Sequence, residues 1–131
     1  MSRQPLTLGK PFEKTVVFSL GVVSSGRILH TAGITARDVN GDVVGAGDMR
    51  AQVEQCFSNL KDVLDAAGAT FGDVIKYTIY TTDIALFDTA TRDIRFSYFV
   101  DRPASTLIEI SKLIDPRMLV EIEAIVSLGG A

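Results

Sequence analysis

The stretch "RPASTLIEI", Arg102–Ile110, and the later stretch "LVEIEAIV", Leu119–Val126, decide how the chain folds. Both alternate with the period of a β-strand, in which successive side chains point to opposite faces. In the second stretch Val120, Ile122, Ala124 and Val126 form a wholly apolar face, and Leu119, Glu121, Glu123 and Ile125 form a mixed one. In the first, Ala104, Thr106, Ile108 and Ile110 are expected to share one face, and Ser105, Leu107, Glu109 and Ser111 the other. The apolar faces belong under helices. The mixed face has too much Leu and Ile for open water and too much Glu for a core, because ionised carboxylates are rarely buried without partners. A subunit interface containing polar clefts meets both conditions.

Working outward, "DVIKYTIYTT" is rich in β-branched and aromatic residues and predicts a strand from Val74 to about Thr81. Before it, Met49, Val53, Cys56, Phe57, Leu60, Val63, Leu64 and Ala67 recur at helical spacing, with Asp48 placed to cap the start and Gly68 to end the helix. After it, Asp83 opens a second helix whose stripe is Ile84, Phe87, Thr91, Ile94 and Tyr98. Val16–Val23 and Ile28–Ala32 predict an opening hairpin joined through "SSGR", followed by a turn at Asn40-Gly41. Asp115-Pro116 suits a turn between the two last strands. The expected order is β-β-α-β-α-β-β in a single α+β domain over 1–131, with both helices on one face of a mixed sheet.

Composition narrows the function. A chain of 131 residues with 47% hydrophobic and 22% charged residues is long enough for one core and is not a disordered chain. The formal net charge of −3 and pI near 5.0 supply no footprint for a polyanion, so nucleic acid is not an expected partner. The N-terminal "MSRQPLTLGKPFEK" lacks the apolar core of a signal peptide, and no stretch reaches the ~18 apolar residues of a membrane span, which predicts a cytoplasmic protein without a membrane partner. A single cysteine, Cys56, and a single histidine, His30, suggest neither an internal disulfide nor a clustered metal site. Cys56 reads as an inert core thiol and His30 as structural or interfacial. Glycines 41, 45 and 47 are turn residues rather than a phosphate loop, since no Gly-Lys-Ser/Thr follows them.

With these elements in place, "NLKDVLDAAGATFGDVIKYTIYTTDIALF" (Asn59–Phe87), "RPASTLIEISKL" (Arg102–Leu113) and "LVEIEAI" (Leu119–Ile125) together resemble the RidA, or YjgF, family over most of the chain. The resemblance implies a chorismate-mutase-like fold, a homotrimer with small-molecule clefts between subunits, and hydrolysis of reactive enamines and imines to carbonyl products and ammonia without metal or organic cofactor. It also implies an arginine fork that binds the substrate carboxylate and an acid that orients or deprotonates the attacking water. The arginine position is Ser105 in this chain, a departure that removes the guanidinium fork the resemblance assigns to the carboxylate of 2-aminoacrylate. The acid matches Glu121. A family tyrosine falls near Phe18 and Ser19, and a helical asparagine falls at Arg92. Gly33 and Thr106 complete the expected substrate-binding set.

Each of these residues has a plainer reading. Glu121 is either the water-managing group or a carboxylate paired with a base across an interface, whereas Glu109 and Glu123 read as structural. Ser105 either donates to a ligand or fills space. Arg92 either swings in to replace the lost cation or is solvated on its helix. Arg102 reads as a solvated loop charge near the cleft mouth. Two function classes follow: a hydrolase, or a non-catalytic trimeric module that holds a metabolite or a protein partner. Ribonuclease activity, attached to some relatives, has little support from an acidic chain.

Overall fold

The computed structural model describes residues 3–129. Its elements are β1 (Arg3–Pro5), β2 (Val22–Ser24), β3 (Arg27–His30), α1 (Met49–Ala66), β4 (Val74–Thr81), α2 (Ile84–Tyr98), β5 (Ala104–Glu109) and β6 (Val120–Gly129), with short 3-10 turns at Pro11–Thr15 and Phe71–Asp73. The class is α+β, as expected. The main sheet has the order β3-β6-β4-β5, with β4 and β5 parallel and the other pairs antiparallel, while β1 and β2 form a separate ribbon.

Both helices begin and end where their chemistry requires. The Asp48 carboxylate accepts from the Ala51 N–H at 3.0 Å, and Asp83 accepts from Leu86 at 2.9 Å. Helix α1 stops because Gly68 adopts φ +71°, which lets the Gly68 and Ala69 N–H groups donate back to the carbonyls of Asp65 and Leu64. Its buried stripe of Met49, Val53, Cys56, Phe57, Leu60 and Leu64 packs over Tyr77, Ile79, Ile122, Ala124 and Val126. At the centre Phe57 stacks on Tyr98 with ring centroids 4.3 Å apart, and Tyr77 stacks on Phe99 at 4.7 Å. Fully buried Gln52 is satisfied at both ends: its amide donates to the Gly45 and Arg117 carbonyls, and its oxygen accepts from the Leu119 N–H at 2.7 Å. Burial pushes the Cys56 thiol up to about 12, helped by the negative charge of Glu121, which fits an inert core thiol.

Three expectations are corrected. The opening strands are not paired as a hairpin. β2 pairs with β1, β3 pairs with β6, and Val16–Gly21 is irregular. The carbonyls of Glu13, Val16 and Phe18 accept instead from the Arg102 guanidinium at 2.7, 3.0 and 2.9 Å, so a distant side chain takes the acceptors that a partner strand would have used. Arg102 is therefore a clamp and not a solvated loop charge. Strands β5 and β6 flank β4, and the chain that joins them turns at Asp115-Pro116 as expected, with the Met118 N–H donating to the Asp115 carbonyl at 3.0 Å. Finally, β5 presents Ser105 and Leu107 towards the helices, and leaves Thr106 and Ile108 on the other side. Its parallel register pairs Ser105 with buried Tyr77 and Leu107 with buried Ile79, and this fixes its faces.

Acid should weaken this fold in a defined window. The Leu8 and Lys10 N–H groups donate to Glu13 at 3.1 and 2.6 Å and hold its carboxyl below the usual 4.5. Asp115, bound by the Arg117 side chain and N–H, is held at about 2. Both folded pKa values lie below the unfolded ones, so these contributions are complete above the unfolded values and are lost as pH falls through the folded ones. The melting temperature is expected to be flat between about pH 8 and about pH 5 and to fall towards pH 2, measured by calorimetry. Asp115→Asn should remove part of the fall.

Candidate active site

The cleft on the helix side of β5 has a volume of about 410 Å³. Its floor is Ser105 and Leu107, one wall is Val16–Phe18, and the other is α2 with Arg92, Arg95 and Phe96. The Ser105 hydroxyl makes no hydrogen bond among the described residues and is available to a ligand. Arg92 and Arg95 both bind Asp88, which lies one and two helical turns earlier on the same face. These ion pairs, with the Arg92 bond foremost, hold the Asp88 carboxyl below its usual value. Arg95 is the more enclosed of the two, its side chain 14% exposed against 62% for Arg92, and its guanidinium carbon sits 4.9 Å from the centre of the Phe87 ring.

The second constellation lies on the face of the sheet that the helices leave open. Glu121 is half-buried there, opposite Tyr80 of β4. Gly33 packs directly against it: a Cβ at that position would stand 2.7 Å from the Glu121 Cδ, so a side chain there would push the carboxylate out of its present position. Among the described residues Glu121 accepts no hydrogen bond and forms no ion pair. The neighbouring acids differ. Glu123 accepts from the Tyr80 hydroxyl at 3.0 Å, which raises the phenol's pKa, and Glu109 accepts from the Ile84 N–H at 3.0 Å at the start of α2. They are structural, and Glu121 is the unspent carboxylate.

The residues singled out from the sequence thus fall into two groups. Phe18, Arg92 and Ser105 meet in the cleft. Glu121 and Gly33 meet on the open face, whereas Thr106 lies on that face two strands away, with its hydroxyl accepting from Lys76 Nζ at 2.6 Å. Ser19 joins neither group: it is 3% exposed, and its hydroxyl donates to the Arg102 and Gly21 carbonyls at 2.6 and 3.1 Å, which makes it a brace behind the cleft wall. Arg95 was not singled out from the sequence, although the spacing Asp88, Arg92, Arg95 places the three on one helical face. His30 stands exposed on edge strand β3, beside a shallow groove with Lys76, Thr78 and Glu123. No group of three or more His, Cys, Asp or Glu residues is arranged to hold a metal ion among the described residues.

A family model described as Endoribonuclease L-PSP matches residues 10–128. A RutC family protein of Pyrococcus horikoshii is 35% identical over 105 residues, which span 79% of this chain and 81% of that one. The solved structure of a Rid family protein of unknown function from Yersinia pestis, YyfB, has a TM-score of 0.87 at 34% identity, covering 98% of this chain and all of the other. The chain belongs to the RidA family. A second solved RidA relative, a YjgF/YER057c/UK114 family member from Mycobacterium tuberculosis, has a TM-score of 0.67 at 32% identity and covers 97% of this chain. No helix among the described residues is long and apolar enough to cross a membrane.

Proposed function

We propose that this RidA family chain is a hydrolase that deaminates reactive imines and enamines, and that its sites form between the subunits of a homotrimer. The observation that carries the reading is the Glu121 carboxylate: half-buried, without a hydrogen-bond or ion-pair partner among the described residues, and seated on the bare backbone of Gly33. A carboxylate in that state is free to accept a proton from water. Glu121 takes an O–H proton as the water oxygen bonds to the imine carbon and the C=N π electrons move to the nitrogen, and the protonated Glu121 then returns that proton to the nitrogen to give the carbinolamine. Collapse of the carbinolamine breaks the C–N bond, releasing ammonia and leaving the carbonyl product. An enamine enters the same path after protonation at its β carbon.

The placement of the two groups supports an intersubunit site. Ser105, Phe18 and Arg92 lie on the helix side of the sheet and Glu121 and Gly33 on the open side, so within one chain the sheet separates them. Two copies bring them together when the open face of one covers the cleft of the other. Half-buried Tyr80 and Ile125 and exposed Ile108 and Ile28 give that face apolar area to bury. A non-catalytic ligand-binding trimer is the second reading. It is favoured by one feature, the serine at 105 where the resemblance places the carboxylate-binding arginine.

The test is ammonia and 2-keto acid release from imines generated in situ by an amino-acid oxidase, with the wild type, Ser105→Arg and no protein compared. Light scattering should give about three times the 14.1 kDa chain mass. Accelerated release by the wild type is expected. Acceleration by Ser105→Arg alone would overturn the assignment for this chain and favour the binding module.

A further inference from the structure

Resting on the reading of this cleft as the ligand site, we propose that the Arg92–Asp88–Arg95 cluster of α2 holds the ligand's anionic end, and that the ligands are carboxylates with a bulky apolar body: 2-imino and 2-keto acids bearing aromatic or branched side chains. Among the described residues the charged ones lining the cleft are these three, and two guanidinium groups against one carboxylate leave one net positive charge. Arg95 brings that charge to the site already oriented. Phe87 lies beneath it, Asp88 holds one terminal nitrogen, and its side chain is 14% exposed. Its Nε is buried without an acceptor among the described residues, which holds the guanidinium against the fold and leaves its terminal nitrogens to face the cleft beside Asp88. A cation restrained in this way loses little freedom when an anion arrives.

The rest of the lining selects the body. Phe18, Phe96, Phe99 and Leu107 provide apolar surface, and half of Phe96 remains exposed for a ligand to cover. Serine at 105 fits the same account. An arginine there would reach into the cleft, whereas the short hydroxyl leaves that volume open to a larger side chain while α2 supplies the cation.

Calorimetric titration of the intact oligomer with phenylpyruvate, pyruvate and phenylacetamide tests the proposal. Phenylpyruvate should bind at least about tenfold tighter than either the small carboxylate or the neutral aromatic, the size of one charge-assisted hydrogen bond or one buried apolar group. Arg95→Met, which keeps the packing on Phe87, should weaken phenylpyruvate by about tenfold or more. Asp88→Asn, which frees both guanidinium groups, should tighten it. Absence of phenylpyruvate binding, equal binding of pyruvate, or dissociation constants unchanged in both variants would overturn the proposal. Glu121→Gln separates the two readings. Wild-type affinity in that variant together with no turnover in the wild type would retire the hydrolase and leave the anion site standing. Turnover with an affinity indifferent to Arg95 would do the reverse.

Discussion

Glu121→Gln is expected to lower imine turnover by roughly 10²–10⁴-fold while leaving the assembly and the melting temperature unchanged, because glutamine keeps the shape of the side chain but cannot accept the proton from water. The structure is unusually tolerant of this change. Glu121 has no hydrogen bond or ion pair among the described residues, so no partner is orphaned by its neutralisation, and an amide fits over Gly33 as the carboxylate does. Glu123→Gln is the matched control. It alters a carboxylate on the same strand and face as Glu121, one that accepts from the Tyr80 hydroxyl of β4, and turnover should persist. Steady-state ammonia release from both variants decides the matter, and undiminished turnover in Glu121→Gln would remove that residue from the mechanism.

The sequence announced some of this architecture plainly. Helix α1 could be delimited to within a residue or two because its stripe has helical spacing and both ends carry capping chemistry, Asp48 and Gly68. Strand β6 was equally clear, since one face is all apolar and the other is not. The alternation within β5 points to the opposite assignment of its faces. Ala104, Thr106 and Ile108 look no less apolar than Ser105 and Leu107, and only the pairing with β4 breaks the tie. Val16–Val23 has local strand character, but its conformation is set by an arginine more than 80 residues away, which no local pattern reveals.

The candidate site was legible in a similar, partial way. The resemblance supplied Glu121, Gly33, Ser105 and Phe18 by motif. That the first two and the last two stand on opposite faces is a property of sheet register, and register emerges only when all the strands are assembled. Arg95 carries no such signal, because a single arginine on an amphipathic helix looks like a surface charge until the fold tucks it beside Phe87.

Arg102 carries the other large effect. Its backbone lies at φ +53°, a conformation that costs a side-chain-bearing residue roughly 1–2 kcal/mol. The cost is offset by the side chain itself, which donates to the carbonyls of Glu13, Val16 and Phe18, while the Arg102 carbonyl accepts from the Ser19 hydroxyl. Arg102→Ala keeps the strained backbone and loses the three bonds, so it should destabilise the protein by about 3 kcal/mol or more. In a chain of this length that lowers the melting temperature by roughly 10 °C. Arg102→Gly loses the same bonds but relieves the backbone, and should recover about 1 kcal/mol relative to alanine. The ordering wild type, glycine, alanine is what distinguishes a clamp on a strained loop from an ordinary surface charge, for which the two variants would be near wild type. Both variants also release the Val16–Phe18 wall of the cleft, so phenylpyruvate affinity should fall with stability even though neither change touches Glu121 or the α2 arginines. Denaturant unfolding of the two variants beside the wild type, followed by titration of the same samples, measures both consequences. If alanine and glycine were equally close to wild type, Arg102 would have no part in holding the wall.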